Sequence, residues 1–190
     1  MAYKPKYDYL MNEKELKTVV DEHKKAGSIS LSQESLPQTK LNFQRAENEL
    51  KHGELSFKIS QDNELKKKLE LLPEDTFYSG TISHAYYAIF FAAKTLLAES
   101  GITTKSPNIH KATLDAFAYY LVISKKLDFE LLKIYKSAAV KADTLLGVFA
   151  SEKDKRGEFT YQTLPDANKE PASDSMRNAT SFLSTVKKLI

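Results

Sequence analysis

The sequence predicts an all-α fold, an antiparallel bundle of four to five principal helices with an N-terminal helical extension, and three observations carry that prediction. The first is Ser83 to Gly101, which is apolar almost all round and sets Tyr86, Tyr87, Phe90 and Phe91 beside Ala85, Ala88, Ala92 and Ala93. Adjacent residues on a helix point about 100° apart, so these paired rings need at least two neighbouring elements to cover them. Such a helix belongs at the centre of a bundle. The second is the stripe Leu131, Leu132, Tyr135, Ala138, Ala139, Ala142, Leu145, Leu146 and Phe149, which keeps a helical three-and-four spacing throughout. The third is composition: 190 residues, 42% hydrophobic and 28% charged, fit one folded core and neither a disordered chain nor two large domains.

Each element follows in order. Asn12 with Glu15 three residues on makes a capping box, and Leu16, Val19, Val20 and His23 continue an amphipathic helix to Gly27. The serine-rich stretch from Gly27 to Pro37 reads as a linker, which divides the chain into an extension over 1–36 and a bundle domain over 37–190. From about Ser35 a long helix carries Phe43, Ala46, Leu50 and Phe57, with Gly53 in the one gap of the pattern. A strand through Leu55, Phe57 and Ile59 alternates over too few residues to compete. Asp62 caps a short helix with Leu65, Leu69 and Leu72, ended by Pro73, and the central helix then runs from about Glu74 to Ser100. Residues 101–107 form a turn, and Pro107 suits the first turn of a helix carrying Ile109, Ala112, Ala116, Phe117, Tyr120 and Leu121. Asp128 opens the long striped helix. The stretch 164–173 breaks it from a last helix that begins at Asp174 and carries Ala179, Phe182, Leu183, Val186 and Ile190 on one face.

The chemistry is constrained mostly by exclusion. The absence of cysteine removes disulfides, thiolate metal sites and a cysteine nucleophile. No secretory signal and no apolar run of about 18 residues is present, so a cytoplasmic protein with no membrane association is expected. There is no phosphate-binding glycine loop, no HExxH and no GxSxG. The histidines, His23, His52, His84 and His110, are scattered without an i, i+4 pair, so no metal and no cofactor is expected, and each reads as a surface or packing residue. His110 stands at a helix start, where the dipole disfavours its charged form. A net charge of +3 is too mild to mark a nucleic-acid binder by itself. Of the two basic runs, Lys66 to Lys68 reads as a solvated face. Lys153, Lys155 and Arg156 are a functional candidate, because Tyr161 follows Arg156 just past the end of the long helix.

The order of these segments resembles the HEPN superfamily of small helical-bundle proteins. AYYAIFFAAKTLL in a core helix is followed by the turn GITTKSPNIHK, then by a long helix leading to R-x4-Y, then by a short last helix. The resemblance covers roughly residues 40–190 and is weakest at 60–76, which looks like an insertion. It implies a homodimer whose polar motifs face each other across a cleft. It also implies relatives that are ribonucleases, often toxins encoded beside a small nucleotidyltransferase antitoxin, in which an arginine is followed a few residues later by a histidine. Arg156 matches that arginine, and Tyr161 stands where the histidine is expected.

That departure matters physically. Metal-independent RNA cleavage needs a group to move the 2′-hydroxyl proton, and histidine, with an ordinary pKa of about 6.5, does so near neutral pH. Tyrosine, at about 10, needs a strong downward shift, for which Arg156 or Lys155 is the nearby cation. Without it, Tyr161 donates to a phosphate oxygen or stacks under a base while Arg156 grips the phosphate as a fork. Lys153 and Lys155 extend the basic surface, and Asp143 is placed to hold Arg156. The expectation is an RNA- or nucleotide-binding protein of a toxin–antitoxin or defence system, with the tyrosine counting against ribonuclease activity. The alternative is a non-catalytic interaction module acting through homodimerisation or a nucleotidyltransferase partner, with Arg156 on the last carbonyls of its helix and Tyr161 packed on the bundle.

Overall fold

A computed structural model of the chain describes residues 7–31, 36–154 and 169–190, and the side chains among these outside 36 and 143–154. The described residues form seven α-helices and one two-stranded sheet, so the all-α prediction holds. In order these are α1 (Glu13–Lys25), β1 (Ile29–Leu31), α2 (Leu36–Gln61), α3 (Asn63–Lys68), α4 (Tyr78–Glu99), β2 (Ile102–Thr104), α5 (Ile109–Phe117), α6 (Phe129–Asp154) and α7 (Lys169–Lys187). A 3-10 turn, Asp8–Met11, precedes α1, and a π-helical stretch, Ala118–Ile123, prolongs α5. None of these helices is long and apolar enough to cross a membrane.

The central rod is α4, which packs against α2, α5, α6 and α7. Its paired rings divide as the helical geometry requires. Phe90 and Tyr86 are buried and lie against His110 of α5, while Phe91 turns to α2, where the Arg45 guanidinium sits 5.7 Å from its ring centroid. The alanines Ala85, Ala88, Ala92 and Ala93 are at most 1% exposed and let the neighbouring helices come close. On the far side, Phe117, Tyr135 and Phe182 join α5, α6 and α7 with centroids 5.6, 5.7 and 6.2 Å apart. Each such aromatic pair adds about 0.5–1.5 kcal/mol beyond its buried area. Leu10, Leu16 and Val20 of the N-terminal segment are wholly buried in the same cluster.

The caps predicted at Asn12 and Asp62 are present, and Asp128 caps the long helix α6 as well. Asn12 accepts from the backbone N–H groups of Lys14 and Glu15, Asp62 from that of Leu65, and Asp128 from that of Glu130. Such a cap contributes about 1 kcal/mol. Several expectations need correction. The linker after Gly27 and the turn after Gly101 hold three-residue strands, antiparallel in the register Ile29 to Thr104 and Leu31 to Ile102. Strands this short have almost no periodicity, and their pairing arises only when the fold brings them together. Pro107 precedes its helix instead of opening it, because Asn108 intervenes at φ 59 and α5 starts at Ile109. Similarly, α4 begins at Tyr78 and not at Glu74, after a turn in which Asp75 accepts from the Leu72 N–H. By contrast α7 begins at Lys169, five residues before Asp174, because Pro171 falls in the first turn, where its missing N–H costs nothing. Ile190 lies beyond its end and is 47% exposed. Lys66 also departs from the expected solvated face. It is buried, and its ammonium donates to the Pro73 carbonyl at 2.6 Å.

Candidate functional site

The start of α5 faces α4, α6 and the N-terminal segment across a pocket of about 350 Å³. Tyr7, Tyr86, Asn108, His110, Lys111 and Ala139 are in its wall. Its volume lies at the small end of the range typical of small-molecule sites, about 300–1,000 Å³. Tyr86 is placed there by the middle of α4, and its hydroxyl lies 2.9 Å from His110 Nδ1. The His110 ring is packed 4.5 Å from Phe90 and 5.8 Å from Tyr87, centroid to centroid. One face of the imidazole is therefore held by aromatic rings while the residue as a whole stays exposed. This arrangement offers a phenol, an imidazole and an ammonium around an aromatic wall, a set that can stack a base and hydrogen-bond an anion.

Behind the pocket sits a buried carboxylate. Asp115, one turn along α5 from Lys111, is wholly buried and accepts three hydrogen bonds, from Tyr9 Oη at 2.6 Å, Lys111 Nζ at 2.8 Å and His23 Nε2 at 2.9 Å. Lys111 also stands 5.0 Å over the Tyr9 ring. Burial, reinforced by the Asp115 charge, pushes the Tyr9 phenol far above its ordinary value of 10.0. Tyr135, wholly buried with no hydrogen-bond partner for its hydroxyl among the described residues, is pushed up by burial as well. Asp115 thus fixes the lysine of the pocket and ties both the 3-10 turn and α1 to α5.

Of the residues singled out by sequence, Arg156, Tyr161 and Lys155 lie outside the described residues. Lys153 and Asp143 are placed on α6. Lys153 is fourteen residues beyond Ala139, roughly 21 Å along the helix axis, so the basic end of α6 and the pocket lie at different levels of the bundle. Tyr86 is the residue that sequence reading assigned to the core alone. Its ring is core, but its hydroxyl is not, and a tyrosine at a place where phenylalanine would pack equally well was the available signal. The histidines, scattered in sequence, acquire partners in the fold: His23 with Asp115, His84 with Glu49, and His110 with Tyr86.

A family model described as the HEPN domain matches residues 59–189, a span that takes in α4 to α7, the pocket helix α5 and the Arg156–Tyr161 segment. No curated protein and no solved structure matches the chain significantly.

Proposed function

The chain belongs to the HEPN domain family, and from that membership we propose that it binds RNA or a nucleotide as part of a toxin–antitoxin or defence system. The observation that supports this reading is the aromatic-walled pocket in the family-matched segment, where His110, Tyr86 and Lys111 converge. In the proposed mode Arg156 clamps a phosphate through its planar fork and Tyr161 donates to the same group, while Lys153 and Lys155 add unspecific attraction and Asp143 positions Arg156. Binding by this pair requires no proton transfer. If RNA is cut, the pocket supplies an imidazole at His110, a better proton acceptor near neutral pH than a phenol at Tyr161.

The test is titration of a labelled single-stranded RNA and of free nucleotides into the full chain. Saturable binding is expected, and Arg156→Ala should weaken it about ten- to a hundredfold, the worth of a charge-assisted phosphate contact. Lack of saturable binding by the unmutated protein overturns the reading. RNA cleavage that survives Tyr161→Phe and is lost in His110→Ala would move the proton-transfer role to the pocket. A second reading, an interaction module working as a homodimer or with a nucleotidyltransferase, draws on apolar side chains left in solvent, Leu31 at 73%, Leu72 at 58% and Leu55 at 54% exposure. Concentration-dependent dimerisation without RNA affinity would favour it.

A further inference from the structure

At Gly53 the helix α2 lies close against α4 and α7. A Cβ at that position would stand 2.7 Å from the Met176 sulfur and 3.4 Å from the His84 Cβ. The close approach has a chemical result one residue earlier. Glu49 and His52, three residues apart and therefore on one face of α2, are brought against His84 of α4. Glu49 Oε2 lies 2.7 Å from His84 Nδ1, the His52 and His84 rings meet edge to face at 5.3 Å, and one donor atom from each of the three residues lies within 4.8 Å of the others.

We propose that Glu49, His52 and His84 form a binding site for a divalent transition metal, zinc by preference, that staples α2 to α4 and keeps one coordination position open. The donor set argues for the metal class. Two imidazoles and one carboxylate suit zinc and its neighbours, whereas calcium and magnesium demand oxygen donors. The distances fit with little rearrangement. Two donors on a tetrahedral zinc, each at about 2.1 Å, are about 3.4 Å apart, so the wider separations must close by at most about 1.4 Å while the Glu49–His84 pair opens by about 0.7 Å. His52 is exposed and makes no hydrogen bond among the described residues, so rotation of its side chain can supply that closure. Glu49 and His84 are already in register, and the ion replaces the hydrogen they share. Glu49 and His52 precede the family-matched segment and His84 lies within it, so two of the three ligands come from outside the matched region.

The experiment uses the full chain freed of metal with a chelator and then titrated with zinc alone, with binding followed by calorimetry and folding by thermal melting. One zinc per chain and a melting temperature that rises with zinc are expected, with magnesium giving neither. Substituting cobalt should give the intense visible absorption of a four-coordinate ion. His84→Ala and Glu49→Gln should each lower zinc affinity about a hundredfold, a loss at least as large as that for disturbing a supporting residue. His52→Ala, at an exposed position that does not endanger folding, should do the same, while His110→Ala should leave affinity unchanged. Zinc affinity within twofold of the parent in both His52→Ala and Glu49→Gln, or loss of affinity in His110→Ala instead, overturns the proposal.

Discussion

Among the described residues two histidine–carboxylate pairs stand at almost the same separation, His23 with Asp115 at 2.9 Å and His84 with Glu49 at 2.7 Å, yet their surroundings are opposite. The first carboxylate is wholly buried and takes donors from the 3-10 turn, α1 and α5 together. All of its donors are side chains from within the fold, so no room is left for a ligand. The second pair is partly open, with side-chain exposures of 34% for His84 and 26% for Glu49, and has a second imidazole beside it. The difference is one of saturation. A carboxylate surrounded by donors is a clamp, whereas one that is half satisfied next to further ligand atoms has the chemistry of the metal site proposed above.

The comparison breaks most visibly at Asp115. Asp115→Ala leaves Lys111, His23 and the Tyr9 hydroxyl without their common acceptor and loosens α1 from α5. A loss of about 3–5 kcal/mol is expected, the range for removing one partner of a buried charged group, read by denaturant unfolding. A loss below about 1 kcal/mol would mean that the N-terminal segment is held by Leu10, Leu16 and Val20 alone.

Tyr9→Phe is the next largest expected effect. It removes the 2.6 Å hydrogen bond to Asp115, and a hydrogen bond to a charged group is worth about 1.5–3 kcal/mol. The pH dependence follows from the raised phenol. Because the folded state resists ionising Tyr9, that stability is fully present below the ordinary value of 10.0 and is lost as pH rises above it, where the unfolded chain ionises first. Tyr135 acts in the same direction. Stability measured from pH 8 to 11 should therefore fall above about pH 10, and less steeply in Tyr9→Phe. An unchanged slope would assign the alkaline loss to Tyr135.

The sequence carries the bundle well and the site only in part, for a reason visible in the same residues. Helices such as α4 and α6 have a stripe or an apolar circumference that repeats over many residues, so their pattern is local. Asn12, Asp62 and Asp128 are equally local, because a cap is read within three residues. His23 and Asp115 are ninety-two residues apart, and Glu49 and His84 thirty-five, so no window contains both partners. Their only trace in sequence is a polar residue interrupting or flanking an apolar pattern, as His23 does after Val20. Gly53 shows the same limit. It registers as a gap in the α2 stripe, and the reason for the gap, close approach to Met176 and His84, exists only in three dimensions. The stretch Arg156 to Tyr161 stands out in the sequence because it is short and contiguous, and it lies outside the described residues.

The smallest expected effect sharpens the comparison from the other side. In metal-free protein Glu49→Gln should cost only about 0–1 kcal/mol, since a partly solvated pair loses most of its attraction to water and its amide replacement can still accept from His84. That near-neutrality is what distinguishes an open site from a clamp: the pair contributes little until an ion joins it. Adding zinc should then separate the parent from Glu49→Gln by the binding energy alone, growing with the logarithm of zinc concentration. His23→Ala, which damages the clamp, should lower stability equally with and without zinc. If Glu49→Gln costs as much as Asp115→Ala in the absence of metal, Glu49 is a second clamp, and the proposed metal site between α2 and α4 loses its physical basis.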